Sequence, residues 1–140
     1  MTTATAKVTL TFAEISERLH AAELPEVDVV VGIARGGLVP ASLVAHQLRV
    51  PLTVMRVNYR DDDNKPRADE PKLLLSHDLD LSGKRVLLVD DVSVSGATLR
   101  FAAGLLEGAA QITTLSLKGK AEIVLFPEVR ACVNWPWSLP

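Results

Sequence analysis

KRVLLVDDVSVSGATL, Lys84–Leu99, is the stretch on which the reading of this chain turns. Arg85–Val89 is a short aliphatic run without alternation, the pattern of a strand covered on both faces. Two adjacent carboxylates, Asp90 and Asp91, follow it, then a turn of small residues, Ser93–Gly96, and a helix that opens at Ala97 and Thr98. Ligands of open α/β sheets gather at the carboxyl ends of the strands. The stretch therefore reads as a site for a sugar phosphate, with carboxylates for hydroxyls and backbone N–H groups at a helix N-terminus for phosphate. Gly96 lets the backbone approach such a group without a Cβ in the way. Taken singly, an acid pair is more often a polar strand end and SVSG an ordinary capped turn. Neither a GxxxxGK[ST] loop nor a GxGxxG fingerprint is present.

Outward from this stretch, the chain alternates helix and strand. Thr11 and Glu14 have capping-box spacing, and Phe12, Ile15, Leu19 and Ala22 recur at helical intervals, which predicts a helix from Thr11 to about Glu23, ended by Pro25. Val27–Val31 is a β-branched strand leading into GIARGG, Gly32–Gly37, and a helix over Leu38–Leu48, with Pro40 in its first turn. A strand over Leu52–Val57 precedes the most polar segment, residues 58–72, which reads as a functional lid or a solvated loop. A short strand over Lys72–Ser76, a helix from Ala97 to about Ala109, a strand over Gln111–Leu117, a basic turn over Lys118–Lys120, an apolar run over Ile123–Phe126 and a last strand over Val129–Val133 complete the pattern. This order predicts an α/β domain in which a parallel β-sheet is flanked by helices.

The 140 residues suit one domain, 1–140, able to bury about two-thirds of its unfolded surface. A net charge of −2 gives no electrostatic case for a nucleic-acid partner. No apolar run approaches the ~20 residues that span a bilayer, and no signal peptide is read at the start. One cysteine, Cys132, excludes an internal disulfide framework and makes a cytoplasmic location the default expectation. His20, His46 and His77 are dispersed and match no metal or triad spacing.

Val86–Thr98 resembles the phosphoribosyl pyrophosphate (PRPP) binding motif of type I phosphoribosyltransferases: a hydrophobic strand, two acidic residues, then a small-residue loop of the form x-x-x-[ST]-G-x-T. The resemblance implies that Asp90 and Asp91 hold the ribose hydroxyls. It also implies that Val94, Ser95, Gly96, Ala97 and Thr98 wrap the 5′-phosphate. Neighbouring side chains of a straight strand point to opposite faces, so both carboxylates can serve one sugar only if the strand bends at Asp90. Upstream, Val29–Leu48 resembles the pyrophosphate loop of the same family, which implies pyrophosphate binding by Ala34, Arg35, Gly36 and Gly37 and a cis peptide at Ala34–Arg35. Arg35 joins Asp90 and Asp91 as the expected catalytic set. The family's flexible lid falls on about residues 58–72, with Tyr59, Arg60, Lys65 and Arg67 as candidates to close over PRPP. Its acids, Asp61, Asp62, Asp63, Asp69 and Glu70, could instead help recruit Mg²⁺.

The family's base-selecting hood is implied over about residues 118–140, in reduced form. Within the family the chain is most similar to small bacterial and archaeal 6-oxopurine enzymes of the xanthine–guanine type. That similarity places Lys118 on the purine O6 and Cys132, with Val133 beside it, where the group keeps an aromatic ring over the base. Trp135 or Trp137 could supply that ring from another place, or serve as core or as an oligomer contact. A second departure is Val94, which stands where 6-oxopurine enzymes keep an aspartate for purine N7. The expected activity is transfer of the phosphoribosyl group from PRPP to a nucleobase, with Mg²⁺ touching Asp90 and Asp91 only through ribose hydroxyls or water. Family members commonly form dimers or tetramers. Two alternatives stand beside this expectation: a non-catalytic PRPP- or nucleotide-sensing regulatory domain, and a transferase for a non-purine acceptor.

Overall fold

A computed structural model describes residues 7–58, 72–73 and 81–138. In chain order its elements are β1 (Val8–Thr9), α1 (Phe12–Ala21), β2 (Val29–Ala34), α2 (Leu38–Leu48), β3 (Leu52–Asn58), β4 (Lys72–Leu73), β5 (Arg85–Ser93), α3 (Ala97–Leu105), β6 (Gln111–Gly119), β7 (Ile123–Val124) and β8 (Val133–Asn134). The main sheet has the order β4-β3-β2-β5-β6-β7, parallel except for the β3–β4 pair. The parallel sheet between helices expected from the sequence is the fold.

The helices sit where their apolar stripes require. Thr11 closes the first turn of α1 with the full reciprocal box: its Oγ1 accepts from the Glu14 N–H at 3.1 Å, and its own N–H donates to Glu14 Oε1 at 3.2 Å. Ile15 and Leu19 of α1, with Ala41, Val44 and Ala45 of α2, bury against Val30, Leu87, Val89, Leu115 and Leu117 on one face of the sheet. Leu99 and Ala102 of α3 cover Val29, Val31, Val86 and Leu88 on the other. Val86, Leu87, Leu88 and Val89 are all fully buried; each such side chain contributes about 1.5–3 kcal/mol relative to exposure. At the opposite end from the acid pair, Asp28 accepts from the backbone N–H and the guanidinium of Arg85, tying the entrances of β2 and β5 together.

Several boundaries differ from the sequence expectation. β2 runs on to Ala34 because its pairing with β3 continues to Ala34 and Arg56; β5 runs to Ser93 and β6 to Gly119 because their pairing continues past the apolar runs into polar residues. α3 stops at Leu105, earlier than the expected Ala109, and Gly108 takes a left-handed φ of 86° just beyond it. β4 covers Lys72–Leu73 of the expected Lys72–Ser76, and residues 74–76 lie outside the described residues. The last strand is Val133–Asn134, and it pairs in parallel with β1, an element the sequence reading did not anticipate. The lid candidates Tyr59, Arg60, Lys65 and Arg67 lie outside the described residues.

Candidate functional site

β2 and β5 are neighbours at the centre of the sheet, and the connections from them run in opposite directions: β2 leads to β3 on one side, β5 to β6 on the other. This is a topological switch point, the crevice where open α/β sheets bind ligands. The Arg35–Gly37 turn and the acid pair stand at its two lips.

The pairing of β2 with β5 ends at Gly32 and Val89, while β6 stays paired with β5 as far as Ser93 and Gly119. Past Val89 the carboxylates fold back onto the backbone: the Asp91 N–H donates to Asp90 Oδ1 at 2.8 Å, and the Val92 N–H to Asp91 Oδ1 at 2.7 Å. The register with β6 does not shift across the pair, so the bend expected at Asp90 does not take the form of a bulge. Val89 belongs to the α1/α2 core cluster and Val92 packs against it, while Asp91 lines the cleft described below. Asp90 is buried, whereas Asp91 is half-buried. Burial first, and the neighbouring Asp91 carboxylate second, push Asp90 up to about 8. Both causes favour the neutral form of its carboxyl.

The Arg35 turn approaches this pair closely. The Ala34–Arg35 peptide is cis. The Gly37 N–H donates to the Ile33 carbonyl at 2.8 Å, and a Cβ on Gly37 would stand 2.6 Å from the Val89 carbonyl oxygen. A Cβ on Gly36 would stand 2.6 Å from Asp91 Cγ. Arg35 is exposed. Arg35, Gly36, Leu38, Val39 and Asp91 line one cleft of about 440 Å³, joined by Trp137 and Ser138.

On the other side of Asp91, Gly96 takes φ 84° as the N-cap of α3, Ser95 Oγ accepts from the Ala97 N–H at 3.2 Å, and Arg100 Nη1 donates to the Ser95 carbonyl at 3.2 Å. Val94, Ser95, Ala97 and Thr98 are exposed around the buried Gly96, with Val94 82% exposed. Ser93, at the base of this loop, is buried with a hydroxyl that has no hydrogen-bond partner among the described residues.

The base-site candidates are spread more widely. Lys118 is on β6 rather than in a turn, half-buried and in register with Val92. Val133 lies in β8 and packs against the α1/α2 core cluster. Cys132 is exposed, and its carbonyl accepts from the Val8 N–H at 2.9 Å. None of the three lines the Arg35–Asp91 cleft. Two residues that the reading left without a firm role belong at the site. Trp137 walls the cleft. The fully buried Ser116 hydroxyl lies 3.2 Å from the Asp91 carbonyl and 2.6 Å from the Lys118 carbonyl, fastening the ends of β5 and β6. Its sequence signal is a lone hydroxyl inside the otherwise aliphatic Leu115–Leu117.

Among the described residues no group of three or more His, Cys, Asp or Glu side chains could enclose a metal. The donor set is the acid pair, which fits Mg²⁺, an ion commonly bound by one or two carboxylates together with substrate phosphate oxygens and water.

Comparison with known proteins agrees with this geometry. The phosphoribosyl transferase domain family matches residues 5–120, and the chain belongs to that family. The fold superposes on the crystal structure of a purine phosphoribosyltransferase from Pyrococcus horikoshii with a TM-score of 0.75 and 30% identity, covering 96% of both chains. The transcriptional regulator GfcR of Methanocella arvoryzae is 35% identical over 82 residues, 58% of this chain and 40% of its own. An orotate phosphoribosyltransferase of Saccharolobus solfataricus is 33% identical over 72 residues, 51% of this chain and 32% of its own. The chain thus spans less than half the length of these two curated relatives. No helix among the described residues is long and apolar enough to cross a membrane.

Proposed function

We propose that the chain transfers the 5-phosphoribosyl group of PRPP to a nucleobase, a 6-oxopurine such as guanine, xanthine or hypoxanthine, and releases pyrophosphate. The observation that carries this reading is the shared cleft of Arg35, Gly36 and Asp91 at the switch point between β2 and β5. In the reaction a ring nitrogen of the base forms a bond to ribose C1 as the bond from C1 to the pyrophosphate oxygen breaks. Positive charge grows on the sugar and negative charge on the leaving group. Arg35 and the neighbouring backbone N–H groups serve as donors to the pyrophosphate. Asp91, facing the cleft, and Asp90 beside it hold the ribose hydroxyls and fix C1 in line with the attacking nitrogen. The N-terminus of α3 and the Val94–Thr98 loop take the 5′-phosphate. Asp90 and Asp91 would hold Mg²⁺ by way of ribose hydroxyls or water, and the ion would supply positive charge against the leaving group.

A cytoplasmic location is proposed on the strength of the single free cysteine, and a dimer or tetramer on the family resemblance. Lys118 as a contact to the base O6 and a lid over residues 58–72 belong to the same reading. One assay tests the core of it: incubation with PRPP and Mg²⁺ across a panel of purine and pyrimidine bases, with pyrophosphate release as the readout. Release with purines, abolished in the folded Asp90→Asn/Asp91→Asn double variant, is expected; undiminished release in that variant sinks the assignment.

One observation favours a second reading, a domain that senses PRPP or a nucleotide without turnover. Val94 leaves the loop without a side chain able to exchange a proton with the base, and a transcriptional regulator is among the relatives. PRPP binding by calorimetry without pyrophosphate release from any base would select it.

A further inference from the structure

The ladder between β5 and β6 skips one pair. Asp90 pairs with Ser116, and Val92 and Ser93 pair with Lys118 and Gly119, but Asp91 and Leu117, which lie between them, do not pair. At this gap the main chain of the acid pair bonds to side chains instead. The Asp91 N–H donates to Asp90 Oδ1 at 2.8 Å, and the Val92 N–H donates to Asp91 Oδ1 at 2.7 Å. The Asp91 carbonyl accepts from the Ser116 hydroxyl at 3.2 Å. That hydroxyl also donates to the Lys118 carbonyl at 2.6 Å, a three-centre arrangement that fixes its direction. Ser116 is fully buried, so these bonds form away from competing solvent. The Asp91 carbonyl and the Val92 N–H belong to one peptide unit, which is planar. A hydroxyl that holds the carbonyl edge of that plane sets the direction of the N–H on its other edge. That N–H in turn holds the Asp91 carboxylate, which lines the cleft beside Arg35 and Gly36. An aliphatic residue at position 116 would continue the pattern of Leu115 and Leu117 but would leave the Asp91 carbonyl without this donor.

We infer that Ser116 is a positioning residue: through the Asp91–Val92 peptide, its hydroxyl aims the Asp91 carboxylate into the cleft, toward the ribose of PRPP. This rests on the phosphoribosyl-transfer reading, in which Asp91 holds a ribose hydroxyl, and adds a residue on a neighbouring strand that does not itself line the cleft. Without the hydroxyl the peptide plane is free to turn and the carboxylate loses its tether. The sugar is then held less well, while the Arg35 turn, which follows β2, keeps its own bonds.

The test compares two ligands on the whole chain by calorimetry with Mg²⁺: PRPP, which carries the ribose, and inorganic pyrophosphate, which does not. Ser116→Ala is expected to weaken PRPP binding about tenfold or more, while the Kd for pyrophosphate stays within about twofold. The kcat/KM for PRPP should fall by a similar factor. Ser116→Thr, which keeps the hydroxyl, should recover most of the PRPP affinity. Ser116→Cys, which fills the same space with a weak donor, should not. A merely structural loss would weaken both ligands together and would not separate Thr from Cys. PRPP affinity equal to that of the wild type in Ser116→Ala or Ser116→Cys overturns the inference, as does an equal loss for PRPP and pyrophosphate. A Ser116→Thr chain that melts like the wild type yet binds PRPP no better than Ser116→Ala also overturns it. If Ser116→Ala does not fold, Ser116→Cys against Ser116→Thr carries the same comparison. A wild-type chain that neither binds PRPP nor releases pyrophosphate overturns the phosphoribosyl-transfer reading beneath, which no result on Ser116 alone would do.

Discussion

Asp91 and Gly36 face each other across the ends of two neighbouring parallel strands at a separation that leaves no room for a methyl group: a Cβ on Gly36 would stand 2.6 Å from Asp91 Cγ and 2.6 Å from its Oδ1. The obstacle is a carboxylate at the end of a side chain, which can swing aside. Gly37, one residue on, is hemmed in by backbone instead, with the Ile33 and Val89 carbonyl oxygens each 2.6 Å from its would-be Cβ. The two glycines should therefore fail in different ways. Gly36→Ala is expected to melt close to the wild type while its kcat/KM for PRPP falls at least tenfold, because Asp91 is displaced. Gly37→Ala is expected to lose about 1–3 kcal/mol of stability through overpacking against backbone. Thermal melts and PRPP kinetics on the two variants check the pair; equal melting of both would contradict it.

The buried carboxyl of Asp90 makes stability depend on pH in a definite direction. Its folded pKa, raised to about 8 by burial and by Asp91, lies above the unfolded value near 3.9. Its contribution to stability is then fully present below about pH 4 and is lost as pH rises through about 8. Urea midpoints measured from pH 5 to pH 9 should fall with pH in the wild type and fall less in Asp90→Asn. Identical slopes would show that Asp90 is not the group responsible.

Val94 offers a gain-of-function test. It is 82% exposed on the loop, so Val94→Asp should change stability by no more than about 0.5 kcal/mol. A positioned acid or base is typically worth ~10²–10⁴ in rate. Even a partly positioned aspartate should raise kcat/KM for a purine acceptor by about tenfold or more. No gain with any purine would count against proton exchange at this position.

Ser93 carries a buried hydroxyl with no partner among the described residues. An unsatisfied buried donor costs about 1–3 kcal/mol. Its backbone carbonyl, which accepts from the Lys120 N–H at 2.6 Å, does not depend on the side chain. Ser93→Ala should therefore stabilise the fold by about 1 kcal/mol, raising Tm by about 3 °C. A lowered Tm would mean that the hydroxyl has a partner in solution.

The central strands and the first two helices were legible in the sequence because their signals are local: the Thr11–Glu14 capping box, the β-branched run before Gly32 and the aliphatic run before Asp90. The end of β5 was not. Asp90, Asp91 and Ser93 look like a strand end, and only the ladder to Ser116–Gly119 keeps them extended. β1 and β8 are two residues each, too short to carry periodicity, and they exist because they pair with one another. The same holds for Trp135 and Trp137. Trp-Pro-Trp gives no local cue as to which indole enters the core and which walls the cleft; that division follows from where β8 is pinned. Lys118 sits on a strand because β6 outlasts its apolar residues, a tertiary effect invisible in its neighbours.

The β1–β8 pairing also gives the cleft a remote dependence. The indole wall follows the position of Val133, and Val133 is held by Val8, which lies in another part of the sequence. Closing so long a loop carries a chain-entropy cost that grows only slowly with its length. A change in either two-residue strand would therefore loosen the wall of the cleft while the central pairing of β2, β3, β5 and β6 stayed as it is.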